Sequence, residues 1–326
     1  MKKVLTVLGP IAPEELGVCD YHDHLITIGG GEVRADKDLL LDRVDYAVQD
    51  LTEFHRNGGN ALVEMNPIAC GRAIGPLLET ARQVPVHILV TTGFQRGNYY
   101  EPSHWVYRYN LEQLAELVIK DVTEGVDLHN YEGPIVERTE ARAGVIKWAT
   151  QYNHIMPIEE KMGRAVAMAH RAMDAPISTH TERGTMGHEQ LDLLEREGVS
   201  PGRVVLGHID RNPDFEYHKE LAARGAFLGY DGPSRVKYWP DSVLVELTLK
   251  MVEAGYGKQL LLGGDMGRRS YWKAYGGGPG LSYFLTNFVP RLRREGLSEE
   301  AIQDLLVNNP AKAFAFAIPI GNRKSA

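Results

Sequence analysis

Cysteine is scarce in this sequence of 326 residues, which contains only Cys19 and Cys70. Two cysteines cannot organise a disulfide framework, so a disulfide-stabilised secreted scaffold is excluded and a reducing compartment is favoured. No apolar run approaches the roughly 20 residues that a membrane-spanning helix needs. The apolar start is interrupted at Gly9 and Pro10 and is too short for a signal peptide. We therefore expect a cytoplasmic protein that does not enter a membrane.

An excess of positive charge is also lacking. The chain has 36 Lys and Arg against 43 Asp and Glu, which gives a formal net charge of −7. A nucleic-acid-binding protein usually shows a strong basic excess, so we expect no nucleic-acid partner. Any positive field must be local, built from a few Arg and Lys in a cleft. The composition, 43% hydrophobic and 24% charged, is that of a globular protein with a large core.

Short apolar runs alternate with amphipathic segments along the whole chain. The apolar runs cover residues 16–24, 60–65, 86–92, 143–149, 176–180, 203–208, 226–230 and 259–265. Helical spacing appears over residues 38–57, 158–173, 187–197, 213–224, 240–255 and 298–307. Near-continuous apolar character is typical of parallel strands that are buried on both faces. The pattern predicts an α/β fold, a (β/α)8 TIM barrel that forms a single domain over residues 1–326. A doubly wound sheet is the alternative, but its site lies at one switch point.

Candidate metal ligands stand at the ends of several of these runs. His22 and His24 are two residues apart, so a strand would direct both imidazoles to one face and toward one ion. The other candidates at run ends are Lys147, His180, His208 and Asp265. In a barrel, all of these ends lie on the catalytic face. A single histidine after an apolar run is more often a core residue, but the shared placement of six candidates favours a metal centre.

Two of the six candidates have chemistry beyond simple ligation. Asp265 could ligate an ion and accept a proton from bound water, although an aspartate beside glycines is often a loop or cap residue. Lys147 cannot ligate as an ammonium, but its carbamate could bridge two ions. The alternative is a buried lysine paired with a carboxylate. The full set predicts a binuclear hydrolytic centre with two divalent ions, and it leaves their identity open between zinc, manganese, cobalt and iron.

Three long segments, residues 93–105, 231–240 and 266–280, combine aromatic and basic residues after the third, seventh and eighth runs. Their candidate substrate-binding residues are Tyr99, Tyr100, Lys237, Tyr238, Arg268, Arg269 and Tyr271. A phosphate dianion needs Arg, Lys and hydroxyl donors that converge at one end of a pocket. Solvated surface charge is the alternative for each basic residue taken singly, and it is preferred for Arg96 and Lys273. Both interpretations stay open for Arg235.

The ordered set His22-x-His24, Lys147, His180, His208 and Asp265 resembles the phosphotriesterase-like family of the amidohydrolase superfamily. The opening segment from Leu8 to His24 resembles it too, and the likeness covers nearly the whole chain. The resemblance implies a (β/α)8 barrel with a binuclear, usually zinc, centre. It implies that His22, His24 and Asp265 hold one ion, that His180 and His208 hold the other, and that carboxylated Lys147 bridges them. A homodimer is common for this resemblance.

The loop from Gly264 to Trp272 looks like that of the subgroup that acts on phosphorylated sugar lactones. We therefore expect hydrolysis of a pentono-1,4-lactone 5-phosphate by attack of a metal-bridged hydroxide on the carbonyl. A phosphotriesterase, an acyl-homoserine lactone hydrolase or a carboxylester hydrolase with the same metals is the alternative. A non-catalytic sugar-phosphate binding protein is a third hypothesis, which the complete ligand set argues against.

Overall fold

A barrel of eight parallel strands forms the centre of the structure, a computed structural model that describes residues 1–318. Two short strands, β1 (Val4–Thr6) and β2 (Gly9–Ile11), form a separate antiparallel hairpin. The eight barrel strands are β3 (Cys19–Asp23), β4 (Ala61–Glu64), β5 (His87–Gly93), β6 (Val145–Thr150), β7 (Ile177–Thr181), β8 (Val204–Gly207), β9 (Phe227–Tyr230) and β10 (Leu260–Leu262). Strands β3 to β10 pair with their neighbours in chain order, and every pair is parallel. The predicted (β/α)8 barrel is confirmed, and its strands coincide with the eight apolar runs.

Helices connect the strands around the outside of the barrel. They are α1 (Gly30–Ala35), α2 (Val44–Arg56), α3 (Ile74–Ala81), α4 (Trp105–Arg108), α5 (Leu111–Thr123), α6 (Pro157–Met173), α7 (Gly187–Arg196), α8 (Phe215–Ala223), α9 (Asp241–Glu253), α10 (Val289–Arg294), α11 (Glu299–Gln303) and α12 (Asn309–Phe314), with π-helical turns at Phe284–Phe288 and Asp304–Asn308. Among residues 1–318, no helix is both long enough and apolar enough to cross a membrane.

Six helices were absent from the sequence prediction, namely α1, α3, α4, α5, α10 and α12. One of them, α5, carries a clear local signal. Helix α5 begins after Asn110, whose side chain accepts a hydrogen bond from the backbone N–H of Gln113. The Gln113 side chain in turn accepts from the backbone N–H of Asn110, which completes a capping box. Among the other missed helices, α3 has no side-chain cap at its start. The capping pattern in the sequence could therefore have identified α5 but not α3.

The N-terminal hairpin of β1 and β2, also not predicted, covers the end of the barrel away from the site. Val4 is fully buried against side chains of the barrel strands and against Phe314. The backbone N–H of Val7 donates to the carbonyl of Ile88 at 2.8 Å. The barrel side chains of this cluster are Cys19, Tyr21, Ala61, Val63, Leu89, Val145, Val205, Phe227 and Leu261. This part of the barrel interior is therefore filled with packed side chains, as in other barrels of this type. The polar site lies at the opposite end of the barrel.

The barrel closes where the segment after β10 meets β3. The backbone N–H of Asp265 donates to the carbonyl oxygen of His22 at 2.8 Å. One residue later, the backbone N–H of Met266 donates to Oδ1 of Asp23 at 2.9 Å. Closure of the barrel therefore sets two of the candidate metal ligands, His22 and Asp265, side by side.

Strand β3 contains an extra residue relative to β4. Asp20 and Asp23 are three positions apart, yet they pair with β4 residues that are two positions apart. Such a bulge interrupts the regular alternation of side chains. Tyr21 packs so closely on Gly229 that a Cβ there would lie 2.2 Å from the tyrosine oxygen, while a Cβ at Gly207 would lie 3.5 Å from His22 Nδ1. Two consecutive side chains of β3 therefore approach β8 and β9, strands that do not pair with β3, which strict two-residue alternation does not anticipate.

Arg72 follows β4 but does not reach the site. Its guanidinium forms an ion pair with Asp121 at 2.8 Å, and both side chains are fully buried. It also donates to the carbonyl oxygen of Thr91 at 2.9 Å and to Asn130 at 3.1 Å. Arg72 therefore fastens the loop after β4 to β5 and α5.

We expect Arg72→Ala to lower the free energy of unfolding by about 3 kcal/mol or more, because it leaves a buried carboxylate without its closest cation. Arg82→Ala is the control, since the Arg82–Glu140 pair is more than half exposed and should contribute less than about 1 kcal/mol. Denaturant unfolding measures both, and equal losses in the two variants would contradict this role of Arg72.

Candidate metal centre

A cavity of about 180 Å³ opens at the C-terminal ends of the barrel strands. Its wall includes every predicted metal ligand: His22, His24, Lys147, His180, His208 and Asp265. It also includes five of the predicted substrate-binding residues: Tyr99, Lys237, Tyr238, Arg268 and Tyr271. The structure thus brings together side chains that lie more than 240 positions apart in the sequence.

The four histidines form a continuous group at the bottom of this cavity. The ring centroids are 5.6 Å apart for His22 and His24, 4.4 Å for His22 and His208, and 4.6 Å for His180 and His208. Oδ1 of Asp265 lies 3.3 Å from Nε2 of His24 and 3.8 Å from Nε2 of His22. The carboxylate therefore faces the same point as the imidazoles of His22, in β3, and His24, directly after it.

This donor set fits a divalent metal ion. Potential ligand atoms of His22, His24 and Asp265 all lie within 4.8 Å of one another. Nδ1 of His22 is buried without a hydrogen-bond partner. Burial lowers the pKa of His22 and His208 well below the ordinary value, which favours the neutral imidazole that binds metals. Polar atoms kept dehydrated and unprotonated in this way are suited to coordination.

His24 and Lys147 differ from the other members of the set. Burial alone would lower the pKa of His24, but its hydrogen bond to Asp265 and the charge of that carboxylate raise the pKa to about 9. Burial lowers the pKa of Lys147 to about 8, against the opposing charges of Asp265 and Asp231. An amine with this pKa is partly unprotonated near neutral pH, which is the form that reacts with carbon dioxide. Carboxylation of Lys147 stays a prediction.

Two carboxylates that the sequence did not single out orient the histidines. Asp231, at the end of β9, accepts a hydrogen bond from Nδ1 of His208 at 2.8 Å and another from the hydroxyl of Tyr21. Glu182 lies 2.9 Å from Nε2 of His180. Metal-binding histidines commonly use the second ring nitrogen in this way, because the contact fixes the ring and the tautomer. The position of each acid directly after a strand end is the signal that could have found it.

Asp265 is held between the histidines and two arginines. Its Oδ2 accepts from Arg211 at 2.7 Å and lies 3.1 Å from Nη2 of Arg235. Burial would raise the pKa of this carboxyl, but the charges of Arg235 and Arg211 and the hydrogen bond from His24 hold the pKa well below its usual range. Arg235, for which the sequence left two interpretations open, therefore belongs to the site. Arg211 was missed, and its place three residues after His208 is the available signal.

Both His208 and Asp265 have left-handed backbone conformations, with φ of 63° and 46°. Such values are costly for residues other than glycine and persist only where the surroundings impose them. Here the surroundings are the barrel closure at His22 and the hydrogen bonds to Asp231. The fold therefore holds these two residues in an unfavourable backbone conformation, which directs their side chains into the cavity.

Cations and tyrosines from the loops after β8, β9 and β10 form one side of the cavity, which we call the cationic wall. It consists of Arg211, Arg235, Lys237, Arg268, Tyr238 and Tyr271. The Arg235 guanidinium lies 5.1 Å from the ring centroid of Tyr271, and the Lys237 ammonium lies 5.1 Å from that of Tyr238. Arg268 is about one-third exposed and pairs with Asp36 at 2.5 Å. The convergence of these donors creates a site suited to an anion.

Some predictions about the loops are wrong or are not supported by the placement. Arg96, predicted as surface charge, lines the cavity and donates to the Tyr99 hydroxyl at 2.8 Å. Tyr100 is buried beneath the loop, where its hydroxyl donates to the carbonyl of Ile68 at 3.1 Å. Arg269 turns away from the cavity and donates to Asp42 at 2.7 Å. An irregular loop has no fixed period, so the sequence does not show which neighbouring side chain points inward.

Comparison with known proteins reveals similarity over almost the whole chain. Residues 2–314 match the model of the phosphotriesterase family. A phospho-furanose lactonase of Mycoplasmopsis synoviae (strain 53) is 38% identical over 95% of this chain and 91% of that protein. An amidohydrolase from Mycoplasma synoviae has a crystal structure with a TM-score of 0.95 and 37% identity, covering 97% of this chain and 92% of its own. A lactonase from Listeria monocytogenes follows with a TM-score of 0.90 and 34% identity, over 97% and 99% of the two chains.

We expect Asp231→Asn to weaken metal retention by about 10- to 100-fold, because the amide no longer fixes the His208 ring as the carboxylate does. Competition with a chelator measures the affinity. Asp127→Asn is the control, since Asp127 is also buried and accepts backbone hydrogen bonds, but from Tyr131 and Glu137 outside the cavity. Equal metal affinity in the Asp231 variant and the wild type would contradict the orienting role.

Proposed function

The chain belongs to the phosphotriesterase family, and on that premise we propose that it hydrolyses a phosphorylated sugar lactone, a pentono-1,4-lactone 5-phosphate. The observation that carries the proposal is the cationic wall beside the six candidate ligands. A lactone with a remote phosphate needs both parts at once. The name phospho-furanose lactonase, given to a relative that is 38% identical, supports the same choice.

We assign the six candidate ligands to two divalent ions. His22, His24 and Asp265 would hold one ion, and His180 and His208 would hold the other. Carboxylated Lys147 would connect the two. The chemistry that bound ions supply here is polarisation of the lactone carbonyl and acidification of water. Zinc is the preferred identity, and manganese, cobalt and iron suit the same donors.

The residues of the chain bind and orient the substrate. Lys237, Arg268 and Tyr271 anchor the 5-phosphate through charge-assisted hydrogen bonds. The binding energy of the phosphate contacts holds the lactone carbonyl next to the metal ligands. Asp265 accepts a proton from the water that attacks the lactone carbonyl, through a carboxylate that Arg211 and Arg235 keep ionised. It then returns the proton to the leaving oxygen of the ring.

The alternative substrates suit this cavity less well. A phosphotriester has no phosphate dianion for the cationic wall. An acyl-homoserine lactone needs an apolar channel for its tail, whereas the loops after β8, β9 and β10 place Arg, Lys and Tyr in the wall. A purely binding role would not require a complete ligand set beside the phosphate site.

The direct test is hydrolysis by metal-reconstituted protein, followed with a pH indicator. We expect fast turnover of 5-phosphorylated pentono-1,4-lactones and slow turnover of their unphosphorylated forms, an acyl-homoserine lactone and a phosphotriester. Equal rates with and without the phosphate would refute the anchor. Turnover no faster than that of metal-stripped protein would refute hydrolysis altogether.

A pair of adjacent arginines tests the anchor more sharply. We expect Arg268→Gln to reduce kcat/KM for the phosphorylated lactone by about 10- to 100-fold, because a charge-assisted hydrogen bond is lost. Activity toward the unphosphorylated lactone should hardly change. Arg269→Gln is the matched control, since Arg269 lies in the same loop but outside the cavity wall. The assignment fails if the two variants lose activity equally, or if the loss does not depend on the phosphate.

A further inference from the structure

We propose that the part of the cavity outside the cationic wall recognises the ring hydroxyls of the lactone, and that Glu32 is the residue that accepts their hydrogen bonds. This inference rests on the proposed function. It assigns a role to residues that neither the metal ligands nor the phosphate anchor use.

The polar residues concerned come from the loops after β3, β5 and β7. Glu32 lies in α1, which follows β3, and Gln95 follows β5. Nε2 of Gln95 donates to Oε1 of Glu32 at 2.6 Å, so the two loops meet at this point. Arg96 and Glu182 continue the surface through their ion pair at 2.5 Å. All four residues line the cavity, and we call this group the acidic wall.

Glu32 has unused hydrogen-bonding capacity. Its side chain is buried, with the whole residue only 9% exposed. Within residues 1–318, the contact with Gln95 is the one hydrogen bond to its carboxylate. A carboxylate can accept about four, and a buried charge is costly without partners. Burial raises the pKa of Glu32, against the opposing charge of His24, as expected for an acid short of donors.

Gln95 fixes which oxygen of Glu32 is free. Its Nε2 is committed to Oε1 of Glu32, and its Oε1 accepts from the backbone N–H of Arg96 at 3.1 Å. The amide is therefore held from both ends and cannot easily turn. Oε2 of Glu32 is left to accept from a donor within the cavity.

The ring hydroxyls are the donors that remain. When the carbonyl lies at the metal ligands and the 5-phosphate lies at the cationic wall, the hydroxyls on carbons 2 and 3 are the polar groups without an assigned partner. A carboxylate accepts hydrogen bonds from hydroxyls and repels phosphate. The two walls thus permit one orientation of the substrate, and the acidic wall discriminates among sugar configurations.

The test compares Glu32→Gln with the wild type on hydroxylated, 2-deoxy and 3-deoxy pentono-1,4-lactone 5-phosphates. We expect Glu32→Gln to reduce kcat/KM by about 10- to 100-fold on the fully hydroxylated lactone, which is the range for a hydrogen bond to an ionised group. We expect less than about a threefold change on the deoxy lactone that lacks the recognised hydroxyl. A purely structural role would lower activity on all three substrates alike.

Glu101→Gln is the matched control. Glu101 lies 3.7 Å from Arg34, a neighbour of Glu32 in α1, but it is exposed and outside the cavity wall. Metal content and melting temperature of each variant show whether the site and the fold are intact. If Glu32→Gln does not fold, Gln95→Leu takes its place, because it releases the Glu32 carboxylate from its fixed orientation.

The outcomes separate the two proposals. Suppose that the wild type hydrolyses the phosphorylated lactones but that Glu32→Gln has the same effect with and without the hydroxyls. The acidic wall then does not recognise the hydroxyls, and this inference is overturned. No effect on any substrate overturns it as well. If the wild type hydrolyses none of the phosphorylated lactones, both the proposed function and this inference are refuted.

Discussion

The hydrogen bond from the backbone N–H of Asp265 to the carbonyl of His22 is the contact on which the rest of the site depends. It closes the barrel, because it joins the segment after β10 to β3. It also places the first and last candidate ligands next to each other, although they are separated by most of the chain. A parallel barrel must join its two ends somewhere, and here the join coincides with the metal site. The contact that closes the barrel is therefore also the contact that brings these two candidate ligands together.

The fold and the family could be predicted from the sequence because both depend on repeated or ordered signals. Buried parallel strands leave apolar runs, and eight such runs leave few architectures. The order of histidines, lysine and aspartate at their ends led to the family resemblance, and the comparisons confirm both the resemblance and a hydrolase of the lactonase type. The ligand roles stay predictions, although the structure gathers all six residues into one cavity.

Residues whose direction is set by irregular backbone could not be predicted in this way. Arg268 and Arg269 are adjacent in one loop, yet only Arg268 reaches the cavity. Arg96 looked like surface charge because its partner, Glu182, is 86 positions away in sequence. The bulge in β3 likewise cannot be read from composition, since it is defined by pairing with β4. In each case the missing information is a contact between distant segments.

The cationic wall lies in a molecule whose formal net charge is −7. Lys237 is exposed at the rim, while Arg211 and Arg235 lie deeper, with side chains only 6% exposed. An anionic substrate is therefore repelled by most of the surface and attracted at one opening, over a range of about 8 Å at physiological ionic strength. Added salt would slow the capture of substrate at the rim, whereas events deeper in the cavity are shielded from it. Changes in surface charge would therefore alter the rate at which an anion enters the cavity, whereas changes in the buried ligands would alter the chemical step.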